Sequence, residues 1–171
     1  MTGETELIEE DPEGEVDFGG VSISNVTKEI VATVYQGART RIYWKDKEWE
    51  KAYKKLKKEL KKEIGDGDLA LTSGTSDDRF HIVVVTSDTN PGVVYLYDME
   101  EGEVEFLCRP RPDLPSEYLA EMKPIKYETR DGLTIHGYLT VPKGVKAKDL
   151  ALVVNPHGGP WARDSWGYNP E

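Results

Sequence analysis

A stretch of this chain repeats itself at an offset of 52 residues, and that repeat limits the possible folds more than any single motif does. Ser24–Val34 aligns without gaps on Ser76–Thr86, and Ile42-Tyr43-Trp44-Lys45-Asp46 falls on Val94-Tyr95-Leu96-Tyr97-Asp98. Each copy reads as a turn, an apolar strand, a loop with glycine, an aromatic strand and a closing Asp turn. Leu69-Ala70-Leu71-Thr72 precedes the second copy and Val104-Glu105-Phe106-Leu107 follows it, which makes four strands. Four short strands at a period of about 50 residues is the size of a β-propeller blade. Two blades cannot close a ring, so residues 21–108 are expected to be the last blades of a larger propeller. Two unrelated hairpin pairs with chance similarity are the alternative.

Between the copies the periodicity changes. Trp49, Tyr53, Leu56, Leu60 and Ile64 lie four, three, four and four apart, which places them on one face of a helix over residues 47–64. Gly65 follows as a stop. Lys45–Glu63 holds nine lysines and five acids, and the lysines fall on the opposite face. Such a helix can bind membranes, nucleic acid or calmodulin-like partners. The plainer expectation is a solvated face over a helix docked on the blades, with Trp49 and Tyr53 packed inward.

Residues 1–20 carry eight acids and no Lys or Arg. Too little apolar surface is present there to order the chain, so an acidic, disordered lead is expected. Arg109-Pro110-Arg111-Pro112 interrupts strand pairing, and residues 109–123 read as a linker with a short helix around 115–122. Its two arginines either face solvent or touch a carboxylate in a cavity. After Pro124, Ile125–Thr129 and Leu133–Val141 read as strands joined at Arg130-Asp131-Gly132, a hairpin signal. Leu150-Ala151-Leu152-Val153-Val154 reads as a third, buried strand. It runs straight into Asn155-Pro156-His157-Gly158-Gly159-Pro160-Trp161. A strand that ends in paired glycines can turn backbone N–H groups into a cavity with no Cβ in the way.

The formal charge of −10 argues against nucleic-acid and anionic-membrane partners. The acidic N-terminus has no apolar core, so it does not read as a secretion signal. One cysteine, Cys108, excludes an internal disulfide and suits a reducing, cytoplasmic setting; a buried, inert thiol is expected. His81 and His136 read as satisfied or surface strand residues. No His or Cys pair has ligand spacing, and no glycine-rich loop precedes a Lys-Ser/Thr helix start, so neither a metal nor a cofactor is expected.

Through Arg130–Leu139 and then Asn155–Pro160 the sequence resembles the prolyl oligopeptidase family of serine peptidases, most closely its acylaminoacyl-peptidase and dipeptidyl-peptidase-like members. The resemblance implies a fold that is mostly β with one prominent helix. It would comprise the last blades of a β-propeller (21–108), a linker (109–123) and the first strands of an α/β-hydrolase domain (124–171). It implies a peptide substrate, short or N-terminally blocked, cleaved through an acyl-enzyme. In that family the loop donates a backbone N–H to the oxyanion; Gly159 matches the donor, Gly158 the turn, and His157 and Pro160 the shaping positions. Trp161 and Trp166 would lie near the approach to the site.

The family's nucleophile sits in a downstream Gly-x-Ser-x-Gly elbow, followed by Asp and then His. No serine here has glycine at both −2 and +2, and fourteen residues follow His157. No catalytic residue of the triad is therefore expected within this chain, and alone it is expected to be inactive, a piece of a larger enzyme. Two other readings compete: a non-catalytic propeller-type binding module, and a piece of an esterase or lipase, whose loop is usually His-Gly-Gly-Gly.

Overall fold

The computed structural model describes Thr5 and residues 7–170. The rest of the acidic lead, residues 1–4 and 6, lies outside the described residues. The described residues form three separate antiparallel sheets and one prominent helix. The first sheet joins β1 (Phe18–Ile23), β2 (Ile30–Gln36) and β3 (Thr40–Trp44) in that order. A helix follows, α1 (Lys47–Glu59), continued by the single turn α2 (Lys61–Ile64). The second sheet is β4 (Asp68–Gly74), β5 (Phe80–Ser87), β6 (Asn90–Asp98) and β7 (Glu103–Cys108), again in chain order. The third is the hairpin β8 (Met122–Glu128) and β9 (Thr134–Thr140).

The repeat holds at the level of elements, with β2 over β5 and β3 over β6. Its pairing register does not. Ala32 faces Trp44 in the first sheet, whereas Val84, the repeat partner of Ala32, faces Val94 rather than Leu96. The first hairpin turns through Gly37, Ala38 and Arg39 between Gln36 and Thr40, and the second through two residues, with a bulge near Thr86. The slip is two residues. Side chains alternate with a period of two, so the inward set still points inward.

In β5, His81, Val83, Val85 and Ser87 are buried and alternate with half-buried Phe80, Ile82, Val84 and Thr86. The buried face receives the helix. Leu56, Leu60 and Ile64 form one cluster with Leu69, Val83, Val85, Val93, Tyr95 and Tyr97, and Tyr53 packs against it. Asp46 caps α1, its carboxylate accepting from the N–H of Glu48 at 2.8 Å and of Trp49 at 3.1 Å. Trp49 turns its ring edge to His81, centroids 4.8 Å apart, and His81 Nε2 lies 2.9 Å from the Asp78 carbonyl oxygen. His81 is thus a satisfied core residue, as its sequence context suggests, and His136 is exposed. The lysine face of α1 is solvated, with Lys54 paired to Glu50 one turn back.

Across the repeat, Ser24 Oγ donates to Asp78 at 2.6 Å, and the Asn25 and Val26 N–H groups donate to the same carboxylate at 3.0 and 3.2 Å. The entry turn of the first sheet is therefore closed by a side chain of the second.

Two expectations are corrected, and the acidic lead makes contacts of its own within residues 9–16. Asp11 accepts from the N–H groups of Glu13, Glu15 and Val16, and pairs with Arg41 at 2.7 Å; Glu9 accepts from Thr33 Oγ1 at 2.7 Å and pairs with Lys45. The acids find cations in and just after β3, partners that the composition of the segment does not reveal. Phe18-Gly19-Gly20 then enters β1, where a Cβ on Gly19 would sit 2.9 Å from the Val34 carbonyl oxygen. Cys108 is exposed, because β7 is the outer edge of its sheet. Most consequentially, Leu150–Val154 forms no strand. Leu152, Val153 and Val154 are 78%, 87% and 75% exposed. A continuous apolar run needs a pairing neighbour and cover on its faces to become a buried strand. None of the described residues supplies them.

Candidate functional site

The His157–Pro160 loop is open to solvent over its whole length. His157 Nδ1 lies 2.8 Å from the carbonyl oxygen of Gly158, and the Ala162 N–H donates to the Pro160 carbonyl at 3.1 Å. Neither Gly158 nor Gly159 adopts positive φ. A Cβ on Gly158 would meet nothing, and one on Gly159 would come within 3.4 Å of the Trp161 amide nitrogen. The N–H groups of both glycines lack a protein acceptor among the described residues. They are available donors on an exposed loop.

The two tryptophans separate. Trp161 is 98% exposed. Trp166 is held: its Nε1–H donates to the Met122 carbonyl at 2.7 Å, and the Arg39 guanidinium carbon lies 3.4 Å from its ring centroid. Arg39 is fixed in turn by Asp66 at 3.3 Å and Asp68 at 3.2 Å. Arg163 donates to the carbonyls of Gln36 and Gly37, the latter at 3.1 Å, and the Tyr138 hydroxyl donates to Ala38 at 3.1 Å. Gln36 is the last residue of β2, and Gly37 and Ala38 open the turn between β2 and β3. The segment just past the loop, and the hairpin just before it, both dock on that turn.

A cleft of about 890 Å³ opens beside Trp166, lined by Arg39, Lys62, Arg109, Arg111 and Lys143 among others. Arg109 is paired with Glu63 at 2.7 Å, while the Arg111 side chain makes no ion pair among the described residues. Several residues of the 109–123 stretch line the cleft, Ser116–Tyr118 forms a 3-10 turn, and Met122 and Lys123 already belong to β8. The β8–β9 connection closes as expected around Gly132, at φ 83°, although Asp131 stays outside the left-handed region. Among the described residues, no group of three or more His, Cys, Asp or Glu is placed to hold a metal ion. No helix among them is long and apolar enough to cross a membrane.

Comparison with known proteins finds similarity to segments of longer chains. No family model matches the chain. Over 112 residues it is 38% identical to dipeptidyl aminopeptidase BIII of Pseudoxanthomonas mexicana, a match covering 61% of this chain and 16% of that protein. The chain is thus similar to a segment of a protein named as a dipeptidyl aminopeptidase. A second relative, dipeptidyl peptidase family member 6 of Caenorhabditis elegans, is 27% identical over 125 residues, covering 61% of this chain and 17% of that protein. The chain therefore spans about one sixth of the length of the curated relatives it matches. A solved structure from work on two prolyl endopeptidases and their inter-domain dynamics overlaps 81% of the chain, at 16% identity, a TM-score of 0.47 and 19% of its own length.

Sequence reasoning missed how the chain holds the region behind its glycine loop. Arg39, Arg163 and the Gln36–Ala38 carbonyls carry that contact. The signal available in sequence was slight: a Gly-Ala-Arg turn between two strands, and Arg163-Asp164-Ser165-Trp166 after the loop.

Proposed function

We propose that this chain contributes the oxyanion-binding loop, and part of the propeller wall, to a serine peptidase that removes dipeptides from the N-terminus of peptide substrates. The observation that carries this reading is the Asn155–Pro160 motif, with two glycine N–H groups that no protein acceptor uses, in a chain whose relatives are named as dipeptidyl peptidases. In acyl transfer the carbonyl oxygen gains negative charge as the nucleophile adds. The Gly159 N–H would donate to that oxygen, and Gly158 lets the backbone approach closely. One such donor contributes roughly 2.7–4 kcal/mol to the barrier, about 10²- to 10³-fold in kcat. The relatives' names favour release of dipeptides over removal of blocked residues, and they give no support to an esterase or lipase. The two repeat sheets are then blades of a propeller that screens the substrate.

The attacking serine, its base and its orienting acid are not among these residues. The chain alone should leave a fluorophosphonate probe unreacted. The positive test is a chimera in which residues 21–171 replace the matching segment of the Pseudoxanthomonas mexicana enzyme. Dipeptide release should persist in the chimera, and Gly159→Pro, which deletes the N–H, should lower kcat by about 10²–10³ with little change in KM. A folded chimera whose kcat is indifferent to that substitution refutes the assignment.

A second reading, a binding module without catalysis, draws on one observation. The cluster of helix and second sheet is complete without residues 142–162. A chimera that binds peptide but never turns it over would favour it.

A further inference from the structure

The glycine loop has no anchor of its own. Residues 150–154 ahead of it are unpaired and exposed, and the contacts within 155–162 are local ones, His157 to Gly158 and Ala162 to Pro160. The first fixed point after it is Arg163, whose guanidinium spans two successive carbonyls where β2 runs into the β2–β3 turn. Three residues later Trp166 is pinned between Arg39 and the Met122 carbonyl. Four extended residues reach at most about 14 Å, so Gly159 cannot stray further than that from the Arg163 backbone while the Arg163 side chain holds the turn. The same turn receives the Tyr138 hydroxyl, so it fixes the hairpin on the N-terminal side as well.

We propose that the β2–β3 turn is the positioning element for the His157–Pro160 loop, with Arg163 as its tether and the Arg39–Trp166 pair as its lock. The functional importance of the loop rests on the oxyanion reading above; the tether does not. A fork of two N–H donors onto two backbone carbonyls fixes orientation as well as distance, which a lysine could not do. Arg39 is itself held by Asp66 and Asp68, on the step from α2 into β4. The place of the loop is thereby referred to the seam between the two repeat sheets. A shift of one sheet against the other would move the donor at Gly159. Arg39, Arg163 and Trp166 are positioning residues, since none of them touches the loop glycines.

The test uses the 171-residue chain labelled with ¹⁵N. In the wild type, relaxation at Trp161 and Ala162 should report an ordered backbone, with order parameters near the rigid value of about 0.85. Arg163→Ala should bring them below about 0.6, while Val83 and Tyr95 in the core stay rigid. Arg163→Lys, which keeps the charge and one donor, should fall between the two. Trp166→Phe keeps the ring under Arg39 but deletes the donor to Met122, and should loosen residues 164–168 first. A wild-type loop already below about 0.6, or an Arg163→Ala loop as rigid as the wild type, overturns the proposal. If Arg163→Ala does not fold, a Lys variant indistinguishable from wild type overturns it equally. Because no turnover is measured, a tether that holds beside a chimera that ignores Gly159 would fault the oxyanion reading alone.

Discussion

Truncating Leu56 to alanine sets the helix-to-sheet contact against the apolar run that the structure leaves uncovered. Leu56 is 0% exposed, seated on α1 against β5 and β6. The change removes three carbons. At about 0.8 kcal/mol per buried methylene the lost transfer is roughly 2.4 kcal/mol. A void of roughly 60 Å³ that relaxes only partly adds about 1–1.5 kcal/mol, at about 24 cal/mol per Å³. Alanine is the better helix former, so propensity adds no cost. The expected loss is about 3–4 kcal/mol, within the range of about 2.7–5.0 for buried leucines. With a urea slope of about 2 kcal/mol/M, the midpoint followed by circular dichroism should fall by roughly 1.5–2 M, slope unchanged. Leu152→Ala is the paired measurement. Leu152 is 78% exposed, so its cost should stay within about 0.5 kcal/mol. A Leu152→Ala loss above about 1.5 kcal/mol would mean that residues 150–154 pack as the buried strand their composition suggests. A Leu56→Ala loss below about 1 kcal/mol would mean that the helix does not dock where the structure puts it.

Three further outcomes follow from other parts of the molecule. Burial, with Asp68 nearby, pushes the Tyr53 phenol up to about 12, while its hydroxyl donates to the Leu69 carbonyl at 3.2 Å. The neutral form is favoured on folding, so this stability is complete below the ordinary value of 10.0 and is lost as pH rises toward about 12; Tyr53→Phe should flatten the alkaline limb of a stability-versus-pH curve. Burial raises Asp78, but the Ser24 hydroxyl and the Asn25 and Val26 N–H groups outweigh it and hold its carboxyl below the usual range. Its stabilisation is present above an unfolded pKa of about 3.9 and disappears as pH falls through the lower folded value; Asp78→Asn should cost on the order of 1–2 kcal/mol at pH 7, a gap that closes under acid titration. A Cβ on Gly67 would lie 2.2 Å from the Thr86 carbonyl oxygen and 2.7 Å from that of Ile64, so Gly67→Ala should cost about 1–3 kcal/mol in urea melts by forcing α2 off β5.

How much the sequence revealed depended on whether the decisive partner was local. The helix was legible because Leu56, Leu60 and Ile64 carry its period themselves, and the second sheet because β5 and β6 alternate plainly. β1 was obscured by Gly19-Gly20 and by the acids before it, whose partners Arg41 and Lys45 lie some thirty-odd residues away. Leu150–Val154 misled for the converse reason. Its composition states what it would bury, not whether anything lies beside it. The glycine loop was recognisable as a motif, yet what fixes its place is a set of backbone carbonyls at Gln36–Ala38, and carbonyls have no sequence signature.

The helix carries a lesson about where this molecule can be divided. By position in the chain it belongs to the first repeat, but its apolar face is sealed into the second. A cut at Gly65, the natural seam on paper, would strip β5 and β6 of their cover and strand three leucine-type side chains in water. The two units are therefore not interchangeable bricks, and shuffling or excising one of them would have to carry residues 46–64 along with the neighbour they serve.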